Sequence, residues 1–574
     1  MVMGNDPQHQ VNGPPSSIEK IKAESNYLRG QIAKELSQPT DHFTTETAQL
    51  LKLHGMYQQD DRDRRVLLGD LGAKKQKTYQ FMVRTGVPGG RLTSQQLLAH
   101  IELADRYGNG TLRITSRQDL QMHGLAKQNL RVVLKRIHEV GLTTMATCGD
   151  VHRNVVCCPA PYRSDPVRGQ IQWMAGQIAE ALSPRTPAYR EIWLDDLPAA
   201  CSQESEHEIE PLYGKTYLPR KFKVGIGLPG DNCADVHCQD VGLLAVSRNY
   251  DVIGYNVLVG GGMGMTPAKQ STFPVLAQRM AYARADQILD LLRAIVRVFR
   301  DFGNRSDRKQ ARLKYLVADW GIERFKQQVE QYLGYELPSP EPDEVWDIDD
   351  HLGWREQGDG RFFYGLHVPS GRVQDAGDLR LKSALRDICD GHSPAICLTP
   401  GQSLLLGDVY WEDRLNIEDH LRHCGLRLVG EITNVRRWSS ACVSLPSCPL
   451  ALTESERALP NIIQELEGEV ARLGLQQEVF ALRMTGCTNG CSRPYNADIG
   501  IVGRAAGRYA IYLGGRRIGD RLSFLYRDGV PLEQLVATLV AVLGYFKQHH
   551  KEGETLGDFC HRVGCKEITA ALLG

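Results

Sequence analysis

The chain has 574 residues, and its 68 Lys and Arg residues balance 68 Asp and Glu residues. That length is enough for about three or four domains with sizeable cores. The balanced charge gives no general attraction to nucleic acid or to an anionic membrane, so any cationic site has to be local. The N-terminal segment lacks the apolar stretch of a secretory signal, and the apolar run 532–546 is too short to span a bilayer. We therefore expect a cytoplasmic protein with no nucleic-acid or membrane partner.

The first 80 residues predict an extended arm with some helix, wrapped over the rest of the protein. After this arm the chain repeats itself. The segment TLRITSRQDLQMHGL (111–125) returns as AICLTPGQSLLLGDV (395–409), and VPGGRL (87–92) returns as VPSGRV (368–373). Each copy places a helical pattern between strand-like runs, which is typical of a small α+β unit.

A second repeat follows each small unit. Residues 240–262 are echoed by 498–515, and both segments predict strands that end at glycine turns. Because a small unit buries a sheet face poorly alone, we expect the two small units to pair across a pseudo-twofold axis. The two large units would then flank a central cleft, a favoured place for a ligand. The predicted boundaries are an arm at 1–80, small units at 81–147 and 358–427, and large units at 148–345 and 428–574.

Positive charge is confined to the first copy of the repeat. Arg113, Thr115 and Arg117 alternate, so a strand would turn all three to one face, and the second copy has no charge at the matching positions. Lys221 and Lys223 alternate in YLPRKFKVG, where the second copy is apolar. Several convergent cations are what a small polyanion requires, because one unit pair about 4 Å apart contributes about 4 kcal/mol before desolvation. Two more cations of the first half are Arg84 and Arg153. Any one of them alone could still be an ordinary solvated surface charge.

The second half carries four cysteines in irregular, glycine-containing sequence. Cys442 and Cys448 have a C-x5-C spacing, and Cys487 and Cys491 have a C-x3-C spacing in TGCTNGCSRPY. Four thiolates can hold an iron–sulfur cluster or a structural zinc ion, although C-x5-C is loose for zinc and neither spacing is that of a common ferredoxin. Four unrelated buried thiols are a third interpretation.

The first large unit contains a competing set of thiols. Cys233 falls opposite Cys491 in the repeat, so a second cluster is conceivable, but neighbouring Cys157 and Cys158 would point apart in a strand. The other members of this set are Cys148 and Cys238. The remaining single cysteines are interpreted as small buried hydrophobes: Cys201, Cys389, Cys424, Cys560 and Cys565.

Long motifs along nearly the whole chain after about residue 18 resemble the siroheme-dependent nitrite/sulfite reductase family. They are ESNYLRG, HGMYQQDDRD, LRITSRQDLQMHG, HRNVV, YLPRKFK, GNRSDRK, ACVSLPSCPLA, TGCTNGCSRPY and YLGGRRIGDR. The resemblance implies an α+β fold in which two ferredoxin-like half-domains pair and two larger siroheme and iron–sulfur domains surround a central cleft. It also implies a siroheme coupled to a [4Fe–4S] cluster.

The resemblance assigns roles to individual residues. It makes Cys442, Cys448, Cys487 and Cys491 the cluster ligands, with the Cys491 thiolate also bridging to the siroheme iron. It makes Arg84, Arg153, Lys221 and Lys223 the cations around the substrate anion. The positions that it places near the siroheme and its carboxylates are Arg113, Thr115, Arg117, Gln121, His123, Arg220, Asn304, Lys309 and Asn489.

The activity implied by the resemblance is six-electron reduction of sulfite to sulfide, in sulfate assimilation and cysteine biosynthesis. Reduction of nitrite to ammonia is the nearest alternative, and a zinc-stabilised binding protein is an alternative from another class. The segment VGGGMGMTPA lacks the G-x-G-x-x-G spacing of a nicotinamide site and predicts a strand-end turn. Electrons are therefore expected from a partner, either an NADPH-dependent flavoprotein subunit, which the N-terminal motifs favour, or ferredoxin.

Overall fold

The structure is a computed structural model, and it describes residues 13–64, 66–67, 75–195, 209–267 and 269–573. Within these residues the helices are α1 (Ser17–Ala23), α2 (Ile32–Leu36), α3 (Thr45–Leu51), α4 (Ser94–Tyr107), α5 (Leu130–Glu139), α6 (Pro166–Ala181), α7 (Ala188–Trp193), α8 (Ile288–Phe302), α9 (Leu313–Trp320), α10 (Ile322–Leu333), α11 (Leu381–His392), α12 (Arg414–His423), α13 (Asn434–Arg437), α14 (Leu459–Arg472), α15 (Leu535–His549) and α16 (Leu556–Leu573).

The described residues contain 24 strands. They are β1 (Met56–Asp60), β2 (Val66–Leu67), β3 (Lys75–Gln76), β4 (Tyr79–Thr85), β5 (Arg91–Leu92), β6 (Leu112–Ile114), β7 (Leu120–Leu125), β8 (Val156–Cys157), β9 (Val224–Gly227), β10 (Val241–Arg248), β11 (Asp251–Val259), β12 (Gln278–Arg284), β13 (Gly353–Glu356), β14 (Phe362–Leu366), β15 (Arg372–Val373), β16 (Asp375–Ala376), β17 (Leu379–Arg380), β18 (Ala395–Leu398), β19 (Leu404–Val409), β20 (Ser439–Ala441), β21 (Leu482–Thr485), β22 (Ile499–Ala505), β23 (Arg508–Leu513) and β24 (Phe524–Pro531).

The two small units form five-stranded sheets that exchange an edge strand. The sheet orders are β1-β4-β7-β6-β15 and β13-β14-β19-β18-β5. Strand β5 therefore belongs to the second sheet, where Leu92 pairs with Ile396, and β15 belongs to the first, where Val373 pairs with Leu112. The expected pairing of two ferredoxin-like half-domains is confirmed, and the repeated VP-x-G-R motifs are the strands that each unit gives to the other.

The two large units have the same sheet topology as each other. Their orders are β8-β9-β10-β11-β12 and β20-β21-β22-β23-β24. In each sheet the first three strands are parallel and the last two add antiparallel neighbours. The α+β fold predicted from the sequence is thus present as two copies of a small and a large unit.

Residues 56–60, which the sequence assigned to the arm, form the outer strand of the first sheet. Strand β1 pairs with β4 in register Tyr57 with Met82 and Gln59 with Gln80. One apolar core runs from the arm through both small units and the first large unit. A second core lies under the last sheet, where α15 buries Leu539 and Leu543. No helix among the described residues has the length and apolar character needed to cross a membrane.

Candidate active site

A cavity of about 340 Å³ lies where the arm, the small units and the large units meet. This volume is within the range of about 300–1,000 Å³ typical of ligand sites. Cations of the first half and thiols of the second half line the same space. The predicted site residues that line it are Arg84, Arg113, Thr115, Arg117, Gln121, His123, Arg153, Arg220, Lys221, Lys223, Cys442, Cys448, Cys487, Asn489 and Cys491.

Two parallel strands place the four thiols at one end of the last sheet. Strand β20 ends at Ala441, which pairs with Met484 of β21, so Cys442 and Cys487 follow neighbouring strand ends. The Gly486 amide donates to Cys442 Sγ at 3.3 Å, and the Asn489 side chain donates to Cys487 Sγ at 3.2 Å. Donors aimed at sulfur stabilise a thiolate.

The cysteine loops are closed too tightly for a side chain at position 486. A Cβ added to Gly486 would lie 1.8 Å from Ser444 Oγ and 2.6 Å from the Thr453 carbonyl oxygen. The glycine therefore lets the two cysteine-bearing segments come together. This close approach, with four thiols facing one cavity, fits a [4Fe–4S] cluster.

Three of the four thiols have raised pKa values. Burial, followed by the charge of Cys491, raises the pKa of Cys442 to about 12 and that of Cys448 to about 11. Thiolates crowded in this way need a nearby positive centre, which a metal cluster supplies.

Two lysines face the cavity without a counter-charge. Among the described residues, neither Lys221 Nζ nor Lys223 Nζ lies within ion-pair distance of a carboxylate; the nearby Asp240 binds Arg312 through both oxygens. Burial and the neighbouring cations lower the pKa of Lys221 well below its usual value and lower that of Lys223 to about 7. Paired amines of this type are stabilised when an anion enters.

Two arginines complete the cationic wall. Arg153 donates to the carbonyl oxygens of Thr147 and Gly149 at 3.0–3.2 Å, which fixes its guanidinium without neutralising it. Arg84 lies 3.6 Å from Asp119, and Gln121, with its amide oxygen turned toward the guanidinium, accepts from Arg84 Nε at 3.2 Å. Burial lowers the pKa of Arg84, but the charges of Asp119 and of further acidic groups nearby together raise it above its usual value.

Besides the lysines and these two arginines, the cavity contains buried nitrogen donors that lack some of their hydrogen-bond partners among the described residues. Arg117 donates to the Gln239 side chain at 2.8 Å, but its Nε has no hydrogen-bond partner in the described part of the chain. His123 Nε2 is likewise buried without a partner, while its Nδ1 is 3.3 Å from Gln59 Oε1. Arg113 lies 2.9 Å from Glu456. Buried donors left unpaired by protein fit a ligand rich in carboxylates, as siroheme is.

The sequence interpretation of the local backbone was wrong at two points. Strand β6 ends at Ile114, and Thr115 to Asp119 form a turn in which Thr115 Oγ1 donates to Asp119 at 2.5 Å. Lys221 and Lys223 precede β9, which begins at Val224. The side chains still converge, because turns at strand ends place them at the edge of the sheet.

Two of the residues predicted near the siroheme do not line the cavity. Asn304 accepts hydrogen bonds from the amides of Ser306 and Asp307 at 3.0 Å, and Lys309 is exposed. Their assigned roles stay predictions.

A buried ion network supports Arg220 from behind, and sequence reasoning missed its central residue. Asp150 binds Arg308 with two contacts of 2.8 and 3.0 Å, Lys22 at 3.4 Å and Arg220 at 3.8 Å. These charges overcome the effect of burial and hold the pKa of Asp150 below its usual range. The sequence pointed to Asp150 only through its position two residues before the family motif HRNVV, in GDVHRNVV.

The arm also contributes to the cavity in a way that the sequence analysis did not predict. Lys52, Tyr57 and Gln59 line it. Burial lowers the pKa of Lys52 to about 8. Tyr57 and Gln59 alternate in HGMYQQDD, as side chains on one face of a strand do. This alternation could have predicted that both side chains face the same space.

None of the other cysteines in the described part of the chain lines the cavity, although Cys148 lies next to the cavity residue Gly149. Cys389, Cys424 and Cys560 are buried and Cys565 is half-buried, while Cys201 lies outside the described residues. Among the thiols of the first large unit, Cys157 and Cys238 do not join the other cysteines, whereas Cys158 and Cys233 lie close together.

Four thiols opposite a wall of cations are the arrangement expected of a redox protein with a metal cluster beside an anion-binding cavity. A family model described as the nitrite and sulphite reductase 4Fe-4S domain matches residues 173–337 and 433–573. A second, described as the nitrite/sulfite reductase ferredoxin-like half domain, matches residues 73–140 and 355–424. The chain belongs to the nitrite/sulfite reductase family. This confirms the family resemblance, the enzyme class and the cofactor pair of [4Fe–4S] cluster and siroheme, and it speaks against a zinc-stabilised binding protein.

The similar proteins are matched over almost their full length. The chain is 42% identical to the sulfite reductase [NADPH] hemoprotein beta-component of Geobacillus kaustophilus, over 97% of each chain. It is also 42% identical to the sulfite reductase [ferredoxin] of Synechococcus elongatus, over 96% of this chain and 89% of that protein. The solved structure of the Mycobacterium tuberculosis NirA protein superposes with a TM-score of 0.79 at 25% identity, over 97% of this chain and 98% of that one.

Proposed function

We propose that the protein reduces sulfite to sulfide in sulfate assimilation and cysteine biosynthesis. The observation that carries the proposal is the pair Lys221 and Lys223, half-buried and without a carboxylate partner among the described residues, in a cavity that four thiols share. In the overall reaction sulfite takes up six electrons and seven protons and yields hydrosulfide and three waters. A site for it must hold a small oxyanion, supply protons and exclude bulk water.

The residues present fit both cofactors of the family. Cys442, Cys448, Cys487 and Cys491 would hold the [4Fe–4S] cluster, and Cys491 would also help to hold the siroheme. Arg113, Arg117 and Arg220 would pair with siroheme carboxylates, and the unpartnered Arg117 Nε supports this assignment. When bound, the two cofactors would pass electrons from the donor to the substrate and provide an iron atom that binds it.

The chain's own cations bind and orient the anion. Arg153 is anchored by backbone carbonyls, so its free donor edge is preorganised for an oxyanion, and preorganised charge is the largest catalytic contribution in many enzymes. Arg84 is held by Asp119 and Gln121 in the same way. Both guanidiniums remain charged throughout and act as fixed partners of the sulfite oxygens.

The two lysines are suited to proton transfer. A lysine with a pKa near 7 carries a proton in part of the molecules at neutral pH and gives it up readily. Lys223 has a pKa of about 7, and its backbone amide is fixed by Asp240 at 3.0 Å. Lys223 Nζ, with Lys221 beside it, would donate protons to the oxygens that leave as water.

The electron donor would be an NADPH-dependent flavoprotein subunit, with ferredoxin as the alternative. The Geobacillus kaustophilus relative is named as an NADPH enzyme component and the Synechococcus elongatus relative as a ferredoxin enzyme, at the same identity. The N-terminal motifs favour the flavoprotein. A cytoplasmic location agrees with such a donor.

The test compares substrates and donors on the purified holoprotein. With a chemical reductant, we expect a larger kcat/KM for sulfite than for nitrite, with sulfide as the measured product. A larger kcat/KM for nitrite, with ammonia as product, would overturn the substrate assignment. A second assay supplies electrons from an NADPH flavoprotein or from reduced ferredoxin. The Cys491→Ser variant should lose the absorption and magnetic signature of coupled siroheme and cluster, whereas Cys389→Ser, far from the cavity, should keep it.

A further inference from the structure

A second group of metal-ligand side chains lies outside the active-site cavity. It consists of Cys158, Asp231, Cys233 and His351, whose sulfur, oxygen and nitrogen atoms all lie within 4.8 Å of one another. All four side chains are buried, and none lines the cavity that contains the four cluster thiols. Buried thiol, carboxylate and imidazole groups converge in this way where they ligate a metal ion.

The duplicated fold puts two of these ligands at positions equivalent to cluster cysteines. Strand β8 ends at Cys157, which pairs with Ile226 of β9, and β20 ends at Ala441, which pairs with Met484 of β21. Ile226 pairs with Leu243 in the third strand, just as Met484 pairs with Ile501. Cys158 therefore corresponds to Cys442.

Cys233 corresponds to Cys491 in the same register. Counting back from the paired positions Val241 and Ile499, both cysteines stand eight residues before the third strand. Each is followed two residues later by a residue with left-handed backbone, Asp235 in the first copy and Arg493 in the second. The first large unit thus retains half of the thiol arrangement that holds the cluster in the second.

We propose that Cys158, Cys233, Asp231 and His351 bind one structural zinc ion. The carboxylate and the imidazole take the places that thiols hold in a four-cysteine site, so the set suits a single ion of mixed sulfur, nitrogen and oxygen coordination rather than a second iron–sulfur cluster. Four protein ligands leave no open position, which is typical of structural zinc sites.

Two of the three observed distances between ligand atoms are shorter than the edges of a tetrahedral zinc site, and the third lies within their range. Asp231 Oδ2 lies 2.9 Å from Cys158 Sγ and 3.0 Å from His351 Nε2, and Cys158 Sγ lies 3.4 Å from His351 Nε2. A tetrahedron with zinc bonds of about 2.0–2.3 Å has edges of about 3.3–3.8 Å. A small outward adjustment of the side chains would admit the ion without rearranging the backbone.

The charges balance when zinc is counted. Two thiolates and the carboxylate carry three negative charges, a divalent ion cancels two, and the guanidinium of Arg168 cancels the third. Arg168 Nη1 lies 2.6 Å from Cys158 Sγ and 2.7 Å from Asp231 Oδ2, where it can donate to both as ligands.

A carboxylate also lies near the outer ring nitrogen of His351, although the two groups form no hydrogen bond in the described part of the chain. Its Nδ1 lies 3.5 Å from Asp349 Oδ2, and Asp349 is bound by Arg355 through both oxygens. A carboxylate on the far nitrogen orients a zinc-bound histidine and fixes its tautomer.

The ion would join three segments that are far apart in sequence. Cys158 follows β8, Asp231 and Cys233 follow β9, and His351 belongs to the connection that leads into β13 of the second small unit. A zinc ion here would fasten this connection to the first large unit.

The test is elemental analysis of the purified holoprotein together with X-ray absorption at the zinc edge, which iron does not obscure. We expect about one zinc per chain, with a first shell of two sulfur and two nitrogen or oxygen atoms. The double variant Cys158→Ser/Cys233→Ser should lose the zinc and unfold at a lower temperature while it keeps the siroheme and cluster absorption.

The matched control is Cys157→Ser, which alters the adjacent buried thiol and should keep the zinc. Wild-type protein without a stoichiometric metal beyond its cofactor iron would overturn the proposal. Zinc that persists in the double variant would do the same. So would a Cys158–Cys233 disulfide, found by mass spectrometry in wild-type protein that was purified without a chelator and contains no zinc. Should the double variant fail to fold, the conservative variant His351→Gln gives the same readout of zinc content.

Discussion

Replacing Lys221 by methionine tests whether the cavity is an anion site. The substitution keeps most of the length of the unbranched side chain and removes the amino group. Since Lys221 has no carboxylate partner among the described residues, no buried anion is left unpaired by the change. The effect on catalysis therefore reports mainly the lost attraction for the substrate oxyanion.

The magnitude follows from the burial of the site. One charge pair about 4 Å apart at an effective dielectric near 20 is worth about 4 kcal/mol before desolvation is subtracted. Removing one of four cations should therefore cost about 2–4 kcal/mol of transition-state stabilisation, which lowers kcat/KM for sulfite about 30- to 900-fold. The folded protein should be as stable as the wild type or more stable, because a half-buried amine without a carboxylate partner among the described residues has been replaced by an apolar side chain.

The assay measures sulfide formation with a chemical reductant, so that the electron-donor partner plays no part. Siroheme and iron contents and the melting temperature are measured on the same preparation. The control is Lys566→Met, an exposed residue of α16. A kcat/KM within twofold of wild type, at full cofactor content, would refute the reasoning; so would a loss that is matched by the control.

Three further changes test other parts of the site. The first is Lys223→Met. Because the pKa of Lys223 is about 7, its ammonium group is present below pH 7 and lost above it, so the ratio of wild-type to variant kcat/KM should fall toward one as the pH rises through about 7. A ratio that stays constant with pH would contradict the role of Lys223 as a proton donor. Gly486→Ala should abolish cluster absorption because its Cβ would overlap Ser444, whereas Gly468→Ala, which has open space around its Cβ, should keep it. Asp150→Asn should lower the free energy of unfolding by about 3–5 kcal/mol at pH 7, measured by urea denaturation. Because the pKa of Asp150 is lowered in the folded protein, its stabilisation is present above about pH 4 and absent well below. The difference in stability from the wild type should therefore shrink in acid.

The sequence was informative about architecture wherever it repeated itself. The paired VP-x-G-R motifs and the matching glycine turns predicted two copies of a small and a large unit, and the sheets have that arrangement. The exchange of β5 and β15 could not be read from the repeats, because an edge strand of two residues leaves no periodic signal.

The cysteine and cation patterns were informative about the site in different degrees. Spacing alone left the four thiols open between a cluster, a zinc ion and unrelated cysteines, and the resemblance decided among them. The alternation of Arg113, Thr115 and Arg117 suggested a strand, but the left-handed backbone of Gln118 closes a turn there. Asp150 was missed because nothing in its local sequence reveals that Lys22 and Arg308 will meet it.

Reciprocal strand exchange has a consequence for the order of events during synthesis. The first small unit cannot complete its sheet until Val373 has left the ribosome, and β5 stays unpaired until Ile396 is made. Contacts of such long sequence separation form late, since closing the intervening loop costs entropy before any contact offsets it. The nascent first half therefore exposes an unpaired sheet edge, which makes it prone to aggregation. We expect the prosthetic groups to bind only after the finished polypeptide has been released and its two halves have packed together.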